Sequence, residues 1–353
     1  MSLPDNVHDI QGPRNPLDRR GRGLHDLRIS VMDRCNFRCP YCMPKHQYHE
    51  QFRFLKTQER LSFEEIVRLA GLFASLGVRK LRLTGGEPLL RANLADLVGD
   101  LSIIPDIEDI ALTTNGVLLA RHAVDLQANG LKRVTVSLDT LDREIFARMS
   151  GGFAALDEVL HGIDAALAAG LAPVKINTVV ERGVNDHTVL DLLEYFRGKP
   201  VIVRLIEFMD VGNRNAWRPE MVVPSRELAD RIHGRWPIHP VLENYRGEVA
   251  KRWHFDDGAG EIGFISSVSQ PFCGNCTRAR LSSEGKFYTC LFATNGLDLR
   301  EAMRTGASDD ELLQMIRGTW QGRNDRYSEL RDVSLRTAQA GGEKKIEMYY
   351  IGG

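Results

Sequence analysis

The sequence predicts an α/β chain in which helices pack outside a parallel sheet. Two patterns carry that expectation. Six β-type segments are separated mostly by stretches with helical apolar periodicity, an order that builds parallel sheets. Those segments also alternate apolar and polar residues, whereas strands covered on both faces are apolar throughout. One row suits contact with helices and the other suits a shared polar interior. A doubly wound sheet with polar strand ends is the alternative.

The β-type segments are "LRISVM" (27–32), "KLRLTG" (80–85), "IEDIALTT" (107–114), "RVTVSL" (133–138), "PVKINTVV" (173–180) and "VIVRLIEFM" (201–209). In the first, Leu27, Ile29 and Val31 alternate with Arg28 and Ser30. In the second, Leu81 and Leu83 alternate with Arg82 and Thr84. Val134, Val136 and Leu138 alternate with Thr135 and Ser137, and Val174 and Ile176 with Lys175 and Asn177. Cations turned into an interior need an anionic partner there, so the lumen reads as lined for a charged ligand. Between strands, Ser62 and Glu65 form a capping-box signature. Phe63, Ile66, Val67, Ala70 and Phe73 follow as one apolar stripe, stopping near Gly77. Val159, Ile163, Ala166 and Leu167 repeat the pattern before Gly170, and Val189, Leu192, Leu193 and Phe196 before Gly198. Asn115-Gly116 and Gly198-Lys199-Pro200 read as turns only.

Composition limits the function classes. The chain has 353 residues, 43% of them hydrophobic and 26% charged, with a net charge of −1. That balance fits a soluble globular protein and gives no reason to expect an extended nucleic-acid surface or a membrane span. Residues 1–23 lack the apolar core of a secretory signal and read as an N-terminal arm, which with the cysteine usage predicts a cytoplasmic protein.

The six cysteines fall into two trios, Cys35, Cys39 and Cys42, and Cys273, Cys276 and Cys290. Each contains C-x-x-C, so metal ligation is favoured over disulfides. The C-x3-C-x2-C spacing sets three thiolates on one loop after the first strand, at the sheet end where such folds do chemistry. Thiolates suit zinc or iron–sulfur clusters; a zinc site would close with a fourth ligand, for which His46 is available. "LTGGEPLL" (83–90) ends the second strand. Gly85 and Gly86 permit close backbone approach, Glu87 is an acceptor for an amino group, and Pro88 stiffens the exit.

The cysteine loop and the GGEP turn together resemble the radical S-adenosylmethionine (SAM) superfamily. In that family three cysteines hold a [4Fe–4S] cluster, and the amino and carboxylate groups of SAM complete the fourth iron. Reductive cleavage then yields a 5′-deoxyadenosyl radical. "FCGNCTRARLSSEGKFYTC" and the terminal "YYIGG" narrow the resemblance to the GTP 3′,8-cyclase family of molybdenum cofactor biosynthesis, over residues 24 to 353. The resemblance implies an incomplete (β/α)6 TIM-type barrel at 24–210, closed by a C-terminal region at 211–353 that carries a second three-cysteine [4Fe–4S] cluster. A radical SAM maturase acting on a peptide, and a zinc-binding module, are the alternatives.

The resemblance also implies residue roles. GTP contacts fall on Arg28, Arg82, Thr113, Lys175, Arg278, Ala279 and Arg280. SAM contacts fall on Tyr41, Gly86, Ser137 and Met209. Arg28, Arg278, Arg280, Gly352 and Gly353 are implied in catalysis, with the Gly-Gly tail entering the active-site cavity. Further implied are a homodimer, an electron donor such as flavodoxin or ferredoxin, and cyclic pyranopterin monophosphate synthase as the next enzyme.

Overall fold

The computed structural model describes residues 15–245, 247–331 and 344–352. All six expected strands form: β1 (Asp26–Ser30), β2 (Lys80–Thr84), β3 (Asp109–Thr114), β4 (Arg133–Ser137), β5 (Val174–Val180) and β6 (Val201–Glu207). The intervening helices are α1 (Phe63–Ser75), α2 (Leu94–Ser102), α3 (Leu119–Ala128), α4 (Arg143–Met149), α5 (Leu156–Ala168) and α6 (Val189–Phe196). The capping box at α1 is made as expected. The Glu65 amide donates to Ser62 Oγ at 3.2 Å, and the Ser62 amide donates to Glu65 Oε2 at 2.8 Å.

Beyond β6 come α7 (Ser225–Arg235), β7 (Ile238–Pro240), β8 (Lys251–Phe255), β9 (Glu261–Ile265), β10 (Arg278–Leu281), β11 (Lys286–Tyr288), β12 (Leu297–Asp298), α8 (Leu299–Arg304) and α9 (Asp309–Gly322). The twelve strands form one sheet in the order β12-β11-β10-β1-β2-β3-β4-β5-β6-β9-β8-β7. β10 pairs parallel with β1, and β9 parallel with β6. The C-terminal region therefore extends both edges of the six-stranded core, an outcome the six-strand expectation did not include.

The alternating rows segregate as expected. Leu27, Ile29, Leu81, Leu83, Val134, Val136, Val174 and Ile176 are buried in one apolar core with Ile66, Phe73, Val159, Ile163 and Leu192 of the helices. The polar row turns inward. All eight parallel strands contribute to the lining of a single cavity of about 90 Å³. A doubly wound sheet could not enclose such a space, so the sheet is curled into an incomplete, open barrel.

Residues 15–23 pack against the C-terminal region, with the Asp18 and Arg22 side chains fully enclosed. The described part of this segment is thus not a free arm. Among the described residues no helix is long and apolar enough to cross a membrane.

Candidate functional site

The two cysteine trios face one space. Cys35, Cys39 and Cys42 lie on the loop after β1. Cys273 and Cys276 lie on a turn just before β10, and Cys290 follows β11. All six line a cavity of about 300 Å³ at the carboxyl ends of the strands, and all six are free thiols. The disulfide alternative is thereby set aside. The zinc alternative loses its fourth ligand, because His46 is exposed and bonded to Gln47. Among the described residues no group of three His, Cys, Asp or Glu is placed to hold a single metal ion.

Each trio presents its three thiols to this cavity, and thiolates are the ligands that iron–sulfur clusters take. Burial, helped by Glu87, raises the Cys35 thiol to about 12. Burial and the neighbouring thiols push Cys39 up as well. Burial thus disfavours the thiolate form at Cys35 and Cys39. Cys276 differs: burial acts to raise it, but Arg278 and Arg323 outweigh that and bring it to about 6.

The GGEP turn lies directly on the first cysteine loop. A Cβ at Gly86 would sit 2.2 Å from the Arg34 carbonyl oxygen, so only glycine allows the two loops to approach this closely. The Gly86 amide donates to Met32 O at 2.6 Å and the Glu87 amide to Arg34 O at 2.7 Å. The Glu87 carboxylate lines the cavity and accepts from the Leu89 amide (3.0 Å), Thr114 Oγ1 (2.7 Å) and the Asn115 amide (2.8 Å), so it also ties the turn to the end of β3. Asn115, read as a turn residue only, reaches from there to the cysteine loop, donating to Asn36 Oδ1 at 2.7 Å.

Tyr41, Gly86, Ser137 and Met209 all line the larger cavity. The Tyr41 hydroxyl is already committed, donating to Asp139 Oδ2 at 2.8 Å. Arg28, Thr113 and Arg278 line both cavities and so join them, whereas Arg82 and Lys175 line only the smaller one. Ala279 does neither. Its side chain is fully buried among the apolar residues, level with Leu27, leaving only its backbone for a ligand.

The smaller cavity is a cationic chamber. Arg204, which the sequence reading passed over, completes it. Arg82 and Arg204 both donate to Thr135 Oγ1, at 3.1 and 3.2 Å. The signal was present: Arg204 occupies the polar row of β6 between Val203 and Leu205. Among the described ion pairs none involves Arg28, Arg82, Lys175, Arg204, Arg278 or Arg280. Burial and then the neighbouring cations push Lys175 down to about 7 and Arg204 to about 9. Arg204 Nε, Arg278 Nη1 and Asn177 Oδ1 are buried without partners. The unpartnered Arg204 and Arg278 donors, set among cations without ion pairs, call for an anionic ligand, and the Asn177 oxygen for a donor on it.

The tail enters this site. Met348–Ile351 form a helical turn whose Tyr349 packs edge-on against Tyr48, ring centres 5.0 Å apart. Gly352 follows with φ of +71° and is buried; Arg280 donates to its carbonyl. A Cβ there would lie 2.1 Å from Thr84 Cγ2. Gly353 falls outside the described residues.

Comparison with known proteins agrees with this geometry. The Radical SAM superfamily model matches residues 29–196, and the Molybdenum Cofactor Synthesis C model matches residues 201–329. A GTP 3′,8-cyclase of Xanthomonas campestris pv. campestris (strain 8004) is 53% identical over 336 residues, covering 95% of this chain and 97% of that protein. The chain belongs to the GTP 3′,8-cyclase family. Relatives of the same name from Acidothermus cellulolyticus and Staphylococcus epidermidis are 51% and 47% identical, each covering 95% of this chain and 98% of the relative. Among solved structures, SuiB of Streptococcus suis bound to S-adenosylmethionine matches with a TM-score of 0.57 at 15% identity, covering 85% of this chain and 69% of that one. This likeness supports the partial-barrel fold. Family membership makes the chain a radical SAM enzyme of molybdenum cofactor biosynthesis with a [4Fe–4S] cluster and SAM.

Proposed function

We propose that the chain converts GTP to (8S)-3′,8-cyclo-7,8-dihydroguanosine 5′-triphosphate, the first step of molybdenum cofactor biosynthesis. The observation that carries this reading is the continuity of two cavities, one faced by both cysteine trios and the other lined by unpaired cations. When bound, the N-terminal cluster and SAM supply the radical chemistry that takes hydrogen from C3′ of the ribose.

The chain's own residues bind and orient. Cys35, Cys39 and Cys42 would hold the first cluster, with Tyr41, Gly86, Ser137 and Met209 placed to receive SAM. Cys273, Cys276 and Cys290 would hold a second cluster beside the guanine. The triphosphate belongs in the cationic chamber, against Arg82, Lys175 and Arg204, where arginine forks match phosphate oxygens. Arg28, Thr113 and Arg278, at the junction, then fall beside the ribose. Anchoring both ends of the nucleotide makes closure of the C3′–C8 bond effectively unimolecular. Arg280 positions the tail through Gly352 and keeps it against Thr84. A homodimer, a ferredoxin or flavodoxin as electron donor, and transfer of product to cyclic pyranopterin monophosphate synthase belong to the same reading.

Cysteine substitution after anaerobic reconstitution tests it. The unsubstituted chain should hold about eight irons, and Cys35→Ala should abolish SAM cleavage. Cys273→Ala should keep some SAM cleavage while making no cyclised nucleotide. Normal product from Cys273→Ala would refute the role of the second trio.

A further inference from the structure

The segment before β1 has no part in the function so far, yet it carries buried charge. Asp18 and Arg22 are 6% and 3% exposed, and Arg323, just after α9, is 4% exposed. Asp18 Oδ2 accepts from Arg22 Nε at 2.6 Å and lies 3.7 Å from Arg323 Nη1. The guanidinium of Arg323 stacks on Trp320 at 4.5 Å, and the Trp320 indole donates to the Arg22 carbonyl at 3.1 Å.

This network encircles the C-terminal trio. Arg22 Nη1 donates to the Cys273 carbonyl at 2.7 Å. Arg323 Nη1 donates to the Cys276 carbonyl at 2.8 Å, and Arg323 Nη2 to Cys276 Sγ at 3.2 Å. Asp325, bonded to Arg323 at 3.1 Å, accepts from Thr289, the residue before Cys290, at 2.6 Å. Arg22 Nη2 is buried with no partner, and Arg22 lines the cavity that the three cysteines face. A fixed guanidinium with an unused N–H beside three thiols is a donor awaiting an acceptor.

We propose that Arg22 and Arg323, clamped by Asp18, form a cationic brace that donates N–H hydrogen bonds to the sulfur of the cluster at Cys273, Cys276 and Cys290, retains that cluster and raises its reduction potential. The inference rests on the second-cluster reading above. A cluster on three thiolates is anionic, and reduction adds a further negative charge. Nearby cations and N–H donors favour the reduced state, and groups of this kind govern both retention and potential. The N-terminal segment thereby becomes part of the metal site.

The test is a potentiometric titration of the reconstituted full chain followed by electron paramagnetic resonance, with iron content and melting temperature measured alongside. Adding SAM marks the first cluster, whose signal it alters. Variants are Arg323→Lys, Arg323→Met, Arg22→Lys and Arg22→Met, with the exposed Arg226→Lys as control. The expected result is a shift of the SAM-insensitive wave to lower potential, by about tenfold in the reduction equilibrium, or ~59 mV for one electron. The SAM-sensitive wave should stay in place. Selective loss of the second cluster's iron, with the first cluster and melting temperature kept, also supports the brace. Eight irons with an unmoved wave in both Met variants would overturn it. So would loss of both clusters with a lowered melting temperature in all four, which would mark the arginines as fold supports only. If the unsubstituted chain holds only four irons, the second-cluster reading fails first, a distinguishable outcome.

Discussion

Gly352→Ala should separate SAM cleavage from product formation. The added Cβ would lie 2.1 Å from Thr84 Cγ2, well inside van der Waals contact, at a residue with φ of +71°. Overpacking of a fixed site costs about 1–3 kcal/mol. The backbone, unfavourable for a residue with a side chain, adds about 1–3 kcal/mol. Together they come to about 4 kcal/mol, near three powers of ten in the ratio of seated to unseated tail. The fold should be untouched, because the overlap is relieved by withdrawing the last residues. Thr84→Ser removes the methyl that the new Cβ would strike. The double variant Gly352→Ala/Thr84→Ser should therefore regain about tenfold, leaving the backbone cost. The assay is anaerobic turnover with GTP, SAM and dithionite, with cyclised nucleotide and 5′-deoxyadenosine both quantified. A normal product ratio in Gly352→Ala, or no recovery in the double variant, would refute the reasoning.

Arg82→Ala and Arg204→Ala should each weaken GTP binding about ten- to a hundredfold, since a charge-assisted contact is worth about 1.5–3 kcal/mol; anaerobic calorimetry with iron content unchanged checks this. Lys175 is pushed to about 7 by burial and by Arg204, Arg133 and Arg82, so its ammonium is present in the free protein below that pH and lost above it. GTP binding at pH 8 should then take up a proton, and affinity should fall as pH rises above 7. Lys175→Met should remove the proton uptake, measured in buffers of different ionisation enthalpy; unchanged uptake would locate the titrating group elsewhere. Asn115→Ala, which deletes the link to Asn36, should lower retention of the first cluster's iron while leaving the second, as iron counts and paramagnetic resonance will register.

The central strands and the site differ in how far the sequence disclosed them. Strict alternation in "LRISVM" and "KLRLTG" told both the strand and the face, because a side-chain period of two leaves each residue one side only. The same logic put Arg28, Arg82 and Lys175 in the lumen. It also applied to Arg204, but the surrounding "VIVRLIEFM" is so apolar that one cation drew no notice. β9 and β10 escaped for another reason. They are only five and four residues long, and their pairing partners β6 and β1 are remote in sequence, β10 by some 250 residues. No local pattern encodes such a pairing. Glu87 shows the limit of motif reading: the motif disclosed the acceptor, but not the bonds from the Leu89 and Asn115 amides and Thr114 by which it also ties the turn to β3. Arg22 and Asp18 belong to a segment with no periodicity, and only the folded chain brings them to Cys273.

The most direct measurement uses GTP deuterated at C3′, incubated anaerobically with the reconstituted chain, SAM and dithionite. The account predicts one deuterium in the 5′-deoxyadenosine formed, and an equal amount of nucleotide with a C3′–C8 bond. 5′-Deoxyadenosine without deuterium, or formed with no cyclised nucleotide, would contradict it.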